Sequence, residues 1–377
     1  MAFKDITKVL YDGKIKLDYK DKAHRYYARP RVNWDLPEDD PKAWGKIMYP
    51  KGTTTLIGDT LEKKGLMTWA LGLGLRELAG FYDFEGDNGR MTGFSKGVGE
   101  LWDGDKTKSL TKEELLPIMI SASKAWQRKQ AKGADIGTVV HDAIEHYVRA
   151  HPNNPDKEPE LNTFDIAEQY MWNIKEAFPM PDTDKEDDPF AAERALAMEE
   201  FQADVECATL AYNRFVQWWE EVKPCLYGAE DLLYSLDHNV CGTYDADLGI
   251  PIEHHPMPEL FKGKKLIRCT TDWKTSNASK SKSAAMPEGI NYQYFVQDAI
   301  YEMVRREMGY PPADDLLVVS ARKDGGFSLV FASELGMTVD ECIKWAESVI
   351  MAYRMAEKSK AGLLKHAEPQ ISNKEAF

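Results

Sequence analysis

The chain has 377 residues, with 48 Lys+Arg against 62 Asp+Glu, a formal net charge of −14 at pH 7, and 43% hydrophobic and 29% charged residues. These are the proportions of a globular protein with room for two domains or one elaborated domain, and they exclude a disordered chain. No run reaches the ~18 apolar residues of a membrane helix, and the opening MAFKDITKVLYDGKIK lacks the apolar segment of a signal peptide, so no membrane association is expected.

The stretch to about Pro50 mixes bases with aromatics (His24, Arg25, Tyr26, Tyr27, Arg29, Arg31, Trp34), and Lys4–Arg31 holds nine bases against four acids. It reads as a basic, aromatic arm ending in the Pro- and Asp-rich DLPEDDPKAW. A helix is expected from Asp59 to Leu78, weakened by Gly65, Gly72 and Gly74. The Gly- and Asp-rich residues 82–108 read as a loop, and Thr111 with Glu114 makes a capping box for a helix running to about Lys132.

After Gly133 a further helix begins near Gly137, with Ile136, Val140, Ala143, Ile144 and Tyr147 on its apolar face and His141 and Glu145 one turn apart. Pro152 and Pro155 end it. Between Asp156 and Glu206 stand 16 acids and 4 bases, so one segment makes the protein acidic while the remainder is near neutral. Helices are expected at Thr163–Ala177 and Glu193–Val222. The whole reads as an acidic helical insertion at about 156–222 with a solvated surface; an acidic lid or partner-docking region is the sharper alternative.

From Cys225 the pattern changes to short strands, at Ala229–Leu236, Val240–Gly249 and Lys265–Trp273. A loop with three prolines, His254 and His255 interrupts them and is read as an insertion, its two histidines as loop residues or auxiliary metal or phosphate contacts. Lys262–Lys282 carries seven bases and one acid. Asn291–Met308 reads as a helix whose apolar side holds Tyr294, Val296, Ala299, Ile300, Met303 and Val304. Leu316–Ala321 and Phe327–Phe331 form a hairpin around Asp324-Gly325-Gly326, and a last amphipathic helix runs from about Val339 to Lys360. The order suits an α/β or α+β core with helical additions, divided into an N-terminal region 1–132, a core 133–361 and a tail 362–377. Five widely spaced cysteines without a CxxC pair read as buried free thiols of a reducing, cytoplasmic environment.

The chemistry concentrates on the strands. Gly242-Thr-Tyr-Asp245 lies on one; Asp272-Trp-Lys274 ends the next, and residues two apart on a strand share a face. Carboxylates beside an ammonium suit phosphodiester hydrolysis: hard divalent cations take oxygen ligands, and a lysine can orient or deprotonate a water or stabilise developing charge. Taken singly, each motif also fits an exposed ion pair or an amphipathic boundary. Their order and combination carry the reading.

In that order the chain resembles the RecB-like branch of the PD-(D/E)XK nuclease superfamily, whose pattern runs G-x-x-x-H, G-x-x-D, D-x-K, Q-x-x-x-Y. Here these stand as Gly137-Thr-Val-Val-His141, Gly242-Thr-Tyr-Asp245, Asp272-Trp-Lys274 and Gln297-Asp-Ala-Ile-Tyr301. GTVVHDAIEHY and TTDWKTS look like phage and bacterial members. The resemblance implies a restriction-endonuclease-like core: a central mixed sheet flanked by helices, with N-terminal and inserted helical regions. It implies Mg²⁺ or Mn²⁺ held by His141, Asp245, Asp272 and the Trp273 carbonyl, with Lys274 as the catalytic lysine. Glu230 occupies a place where the family often has an acid ligand, and Glu145 would stand behind the ligands.

Gln297 and Tyr301, with Tyr294, would contact DNA or support the site; Lys262, Lys264, Lys265, Arg268 and the N-terminal arm would guide the strand. The function expected is that of a metal-dependent DNA exonuclease acting on single-strand or duplex ends in phage-type recombination, repair or DNA processing. A single-strand annealing or binding protein would be a further partner, and the location the cytoplasm, of the host if phage-encoded. The alternatives are a structure-specific or single-strand endonuclease on the same site, or a non-catalytic DNA-binding or scaffold protein that keeps the fold. The cysteines lack the arrangement of relatives with an iron–sulfur cluster, and no G-x-x-x-x-G-K-[ST] phosphate loop occurs, so neither cluster nor ATP is expected.

Overall fold

The computed structural model describes residues 5–20, 25–61, 136–160, 163–177, 191–276 and 290–371. Most of the helix expected at Asp59–Leu78, the 82–108 loop, the helix opened by Thr111 and the linker at 179–189 lie outside them. Residues to Leu61 and from Val139 onward belong to one compact unit; a second spans Glu62–Thr138, nearly all of it outside the described residues.

Period-2 alternation near the N-terminus builds a three-stranded antiparallel sheet rather than an extended arm: β1 (Ile6–Leu10), β2 (Ile15–Lys20) and β3 (Arg25–Pro30). Its register puts Leu10, Ile15, Leu17 and Ala28 on one face, which packs against Leu232, Tyr234 and Cys241 of the main sheet. Lys16 and Arg29, paired across the strands, occupy the other face. Of the residues that suggested an arm, Arg25, Tyr27 and Arg29 share this outer face, whereas Tyr26 packs on the core side. Residues 5–61 fold with the core, where a region running to residue 132 was expected.

The main sheet is six-stranded and mixed. It comprises β4 (Lys51–Gly52), β5 (Cys225–Tyr234), β6 (Val240–Pro251), β7 (Leu266–Ser276), β8 (Asp315–Arg322) and β9 (Phe327–Phe331). One edge of β6 pairs with antiparallel β5 along Cys241–Gly249. The opposite edge is shared. Parallel β4 takes Val240 and Cys241, while antiparallel β7 takes residues from Ala246 to Pro251. The β6–β7 ladder stops at Ala246↔Thr271, after which β7 continues to Ser276 beside parallel β8. Residues 242–245 therefore line a fork between two strands of the same edge.

Helices cover both faces. Short α1 (Thr53–Thr60) follows β4; α2 covers residues 136–150; α3 (Ile166–Ala177) and α4 (Ala191–Val222) follow it. The long α5 (Tyr292–Glu307) packs with α1, α6 (Val339–Ile371) and the sheet in a core that includes Leu56, Tyr244, Phe295, Ile300, Val318, Cys342 and Ile350. On the other side α4 buries Ala208, Ala211, Phe215 and Trp219, and Phe215 meets the buried Trp273 edge-on at 5.4 Å. The acidic insertion is therefore an appendage only in its first part. From Ala208 its final helix is core, because the apolar residues recur at helical spacing there.

The strands and late helices follow the expected order and start and end within a few residues of their expected limits, except that the last helix, expected to end near Lys360, continues to Ile371. His255 differs from expectation. It is buried, its Nε2 lies 3.2 Å from Asp315 Oδ2, and its Nδ1 accepts from the Met257 amide at 3.1 Å. An imidazole so engaged pins the 252–262 segment to the start of β8. His254 is exposed.

Candidate metal and phosphodiester site

The fork gathers the four motifs. With the ladder ended, the Trp273 amide donates to Asp245 Oδ2 at 2.7 Å, so a carboxylate replaces the missing strand partner. Continuing the β6–β7 register by one residue sets Asp245 beside Asp272. Asp272 and Lys274 share a face as strand geometry requires, and Lys274 Nζ lies 2.6 Å from Oδ1 and 2.5 Å from Oδ2 of Asp272. Asp272 is wholly buried, whereas the Lys274 side chain retains 19% of its exposure and stands 5.4 Å over the Tyr294 ring. Lysine is the end of the pair that solvent, or a phosphate, can reach.

From α5, Gln297 Nε2 donates to Asp272 Oδ1 at 3.1 Å and to Tyr301 Oη at 3.0 Å. Tyr301 in turn fills the fork. A Cβ at Gly242 would lie 2.6 Å from its ring, so glycine at this position makes room for the tyrosine. Two motifs more than fifty residues apart in the chain are thereby interlocked. Gln297 and Tyr301 are buried, and their contacts support the site rather than offer a surface to DNA.

On the opposite side, α2 brings His141. Arg149 docks this helix: its Nη2 donates to the Ala229 carbonyl at 2.7 Å while its Nε pairs with Glu145 at 2.9 Å. Two turns earlier, His141 Nδ1 lies 3.9 Å from Asp245 Oδ2, and the ring hydrogen-bonds the Trp273 backbone. Glu230 follows Ala229 on β5, flanked by the pairs Ala229↔Ala246 and Asp231↔Tyr244, and so stands across from Asp245. Its φ of 51° is left-handed, a strained conformation for glutamate inside a strand. His141, Glu230 and Asp245 each offer a ligand atom within 4.8 Å of the others.

The electrostatics ask for positive charge. Burial raises Glu230 well above the usual carboxylate range, and Asp245, Glu145 and Asp142 push the same way. Burial also raises Asp245, against the pull of Lys274. Asp272 is pushed up to about 7, by burial first and by Asp245 in addition, although Lys274 opposes both. Burial disfavours the Lys274 ammonium, yet Asp272 and Asp245 outweigh it and lift the lysine above its ordinary value. His141 is depressed to about 4 by burial and then by Lys274, so at neutral pH it is an uncharged imidazole able to ligate. Asp272 Oδ2 accepts no aligned hydrogen bond despite its burial. The His141 imidazole nitrogen and the Glu230 and Asp245 carboxylates, with the Asp272 carboxylate next to them, form a donor set that fits one divalent cation.

Sequence reading missed several residues here. Asp298, adjacent to Gln297, is fully buried with neither oxygen hydrogen-bonded, and burial with nearby Asp272 raises it far above its ordinary range. Asp247, Thr270, Glu302 and Arg305 are buried close by. For Asp298, Glu302 and Arg305 the sequence signal is that residues 297, 298, 301, 302 and 305 form two adjoining polar rows on a helix; such rows ordinarily face water. Lys262, Lys264, Lys265 and Arg268 are not brought to the site. They stand at the start of β7 or before it, at the end remote from Lys274; Lys264 pairs with Asp314 at 2.5 Å and Arg268 with Asp247 at 2.6 Å.

The chain is thus a mixed α/β protein with a buried carboxylate–lysine site at a fork in its sheet. No protein-family model and no curated protein matches it. No helix among the described residues is long and apolar enough to cross a membrane.

Proposed function

We propose that this protein is a metal-dependent DNA nuclease with a restriction-endonuclease-like core, hydrolysing phosphodiester bonds from DNA ends. The observation that carries the proposal is the convergence at one fork of Asp245, Asp272 and Lys274 with His141 and Glu230, four chain segments whose functional groups meet. Mg²⁺ or Mn²⁺ would be held by His141, Glu230, Asp245 and Asp272. When bound, the cation supplies charge neutralisation at the phosphate and a lowered pKa for a coordinated water.

The protein's own groups do the rest. Lys274, kept as an ammonium by two carboxylates, offers a phosphate oxygen positive charge and N–H donors. In this state it is a donor, not a base. Gln297 holds the Asp272 carboxylate from behind, and the Trp273 amide holds that of Asp245, so neither needs to reorganise when phosphate arrives. Buried Trp273 and Tyr301 limit water to the side where Lys274 and His141 are exposed.

Action at ends, and a place in phage-type recombination or DNA processing, rest on the motif resemblance. Incubation of end-labelled linear DNA and of circular single strands with Mg²⁺ or Mn²⁺ tests both levels. Degradation of the linear DNA with intact circles is expected; cut circles would make the protein an endonuclease on the same site. Full activity in Asp272→Ala would overturn the site.

A further inference from the structure

We propose that Arg305 is a positioning residue for this site: with Glu302, Asp247 and Thr270 it forms a buried ionic clamp that sets the spacing of Asp245 and Asp272 across the fork. The inference rests on the metal-site reading above. Arg305 and Glu302 are fully buried. Arg305 Nη1 donates to Thr270 Oγ1 and to Glu302 Oε2, each at 2.7 Å, and Nη2 pairs with Asp247. One guanidinium thus ties β6, β7 and α5 together.

Position gives this tie its consequence. Asp247 lies two residues from Asp245, and Thr270 two from Asp272, on the same strand faces. Asp247↔Thr270 is the next-to-last rung of the β6–β7 ladder; beyond Ala246↔Thr271 no rung holds the two ligand-bearing residues together. The clamp grips both strands just before they part. On α5, Arg305 continues the row Gln297–Tyr301 at four-residue spacing, so it also fixes the axial position from which Gln297 reaches Asp272.

Stability alone does not account for such a group. Taking several charges out of water costs about what their mutual attraction returns, and well-packed apolar residues often serve as well or better. A forked guanidinium differs from an apolar plug in fixing direction and distance to three acceptors at once.

Calorimetric titration of the full chain with Mn²⁺, with thermal unfolding in parallel, tests the clamp through Arg305→Met and Thr270→Val. Metal affinity is expected to fall on the order of 10- to 100-fold in Arg305→Met, and by a smaller factor in Thr270→Val, in folded protein. Unchanged affinity with a lowered melting temperature would overturn the inference and leave the clamp a stabilising element only. Should Arg305→Met fail to fold, Thr270→Val, which removes a single buried hydroxyl, decides alone. A wild-type protein that binds no metal would sink the site reading and the clamp with it, whereas equal binding by wild type and variants would sink only the clamp.

Discussion

Asp247 and Thr270 each lie two residues from Asp245 and Asp272 on β6 and β7, yet the two pairs end in different company. Asp247 takes Arg268 and Arg305, Thr270 takes Glu302 and Arg305, and Glu302 also accepts from Ala313 and Arg306. Among these carboxylates no buried oxygen is orphaned. At the fork, by contrast, both oxygens of Asp298 lack hydrogen bonds, Asp272 Oδ2 is met by the Lys274 ammonium alone among the described side chains, and Lys274 and Arg149 act as counter-charges to the acids around Glu230 and Asp272. Two clusters of like composition, a few ångströms of strand apart, thus differ in what they leave undone. The first, in which every buried carboxylate oxygen is paired and the Arg305 Nε alone is left without an acceptor, holds position; the second retains capacity for a ligand.

The comparison breaks most sharply at Lys274. Lys274→Met should slow cleavage of linear DNA by about 10²- to 10⁴-fold, the range for removing a group that handles charge or protons in the transition state, while the protein still binds Mn²⁺. Loss of metal binding in this variant would make the lysine a structural counter-ion. Arg305→Met comes next, with the weakening of metal affinity given above.

Acidity sharpens the comparison further. Burial holds the Asp272 carboxyl up to about 7, so below that pH a cation must displace its proton. Metal affinity should therefore rise with pH toward 7, by up to about tenfold per pH unit for this proton, and the raised Glu230 carboxyl adds to the rise in the same direction. His141, depressed to about 4, stays neutral over this window and adds no slope. Titrations from pH 5.5 to 8.5 would read this, and a flat profile would count against a protonated Asp272.

Gly242→Ala should cost about 1–3 kcal/mol in denaturant unfolding, because Tyr301 must leave the fork to admit a Cβ. An unaltered midpoint would mean the ring has somewhere else to go. The smallest effect is expected at Lys264→Ala, which removes a largely exposed pair with Asp314 and should change stability by no more than about 1 kcal/mol.

What the residue order determined by itself was local: helical and strand periodicity placed the elements from residue 136 onward, and strand geometry put Asp272 and Lys274 on one face. Period and spacing are properties of short segments, so they survive being read without neighbours. The tertiary structure decided the rest. Lys16, Arg25 and Arg29 became one face of a sheet because the opposite face found Leu232 and Tyr234, more than two hundred residues away. The polar rows of α5 faced inward, where periodicity alone reads them as solvent-facing, because Asp247 and Thr270 supplied partners on strands closed by other contacts. Glu230, Asp245 and His141 meet only because one edge of β6 is divided between β4 and β7. Burial, and the pKa shifts that follow from it, depend on which distant groups exclude water. No local pattern contains that information.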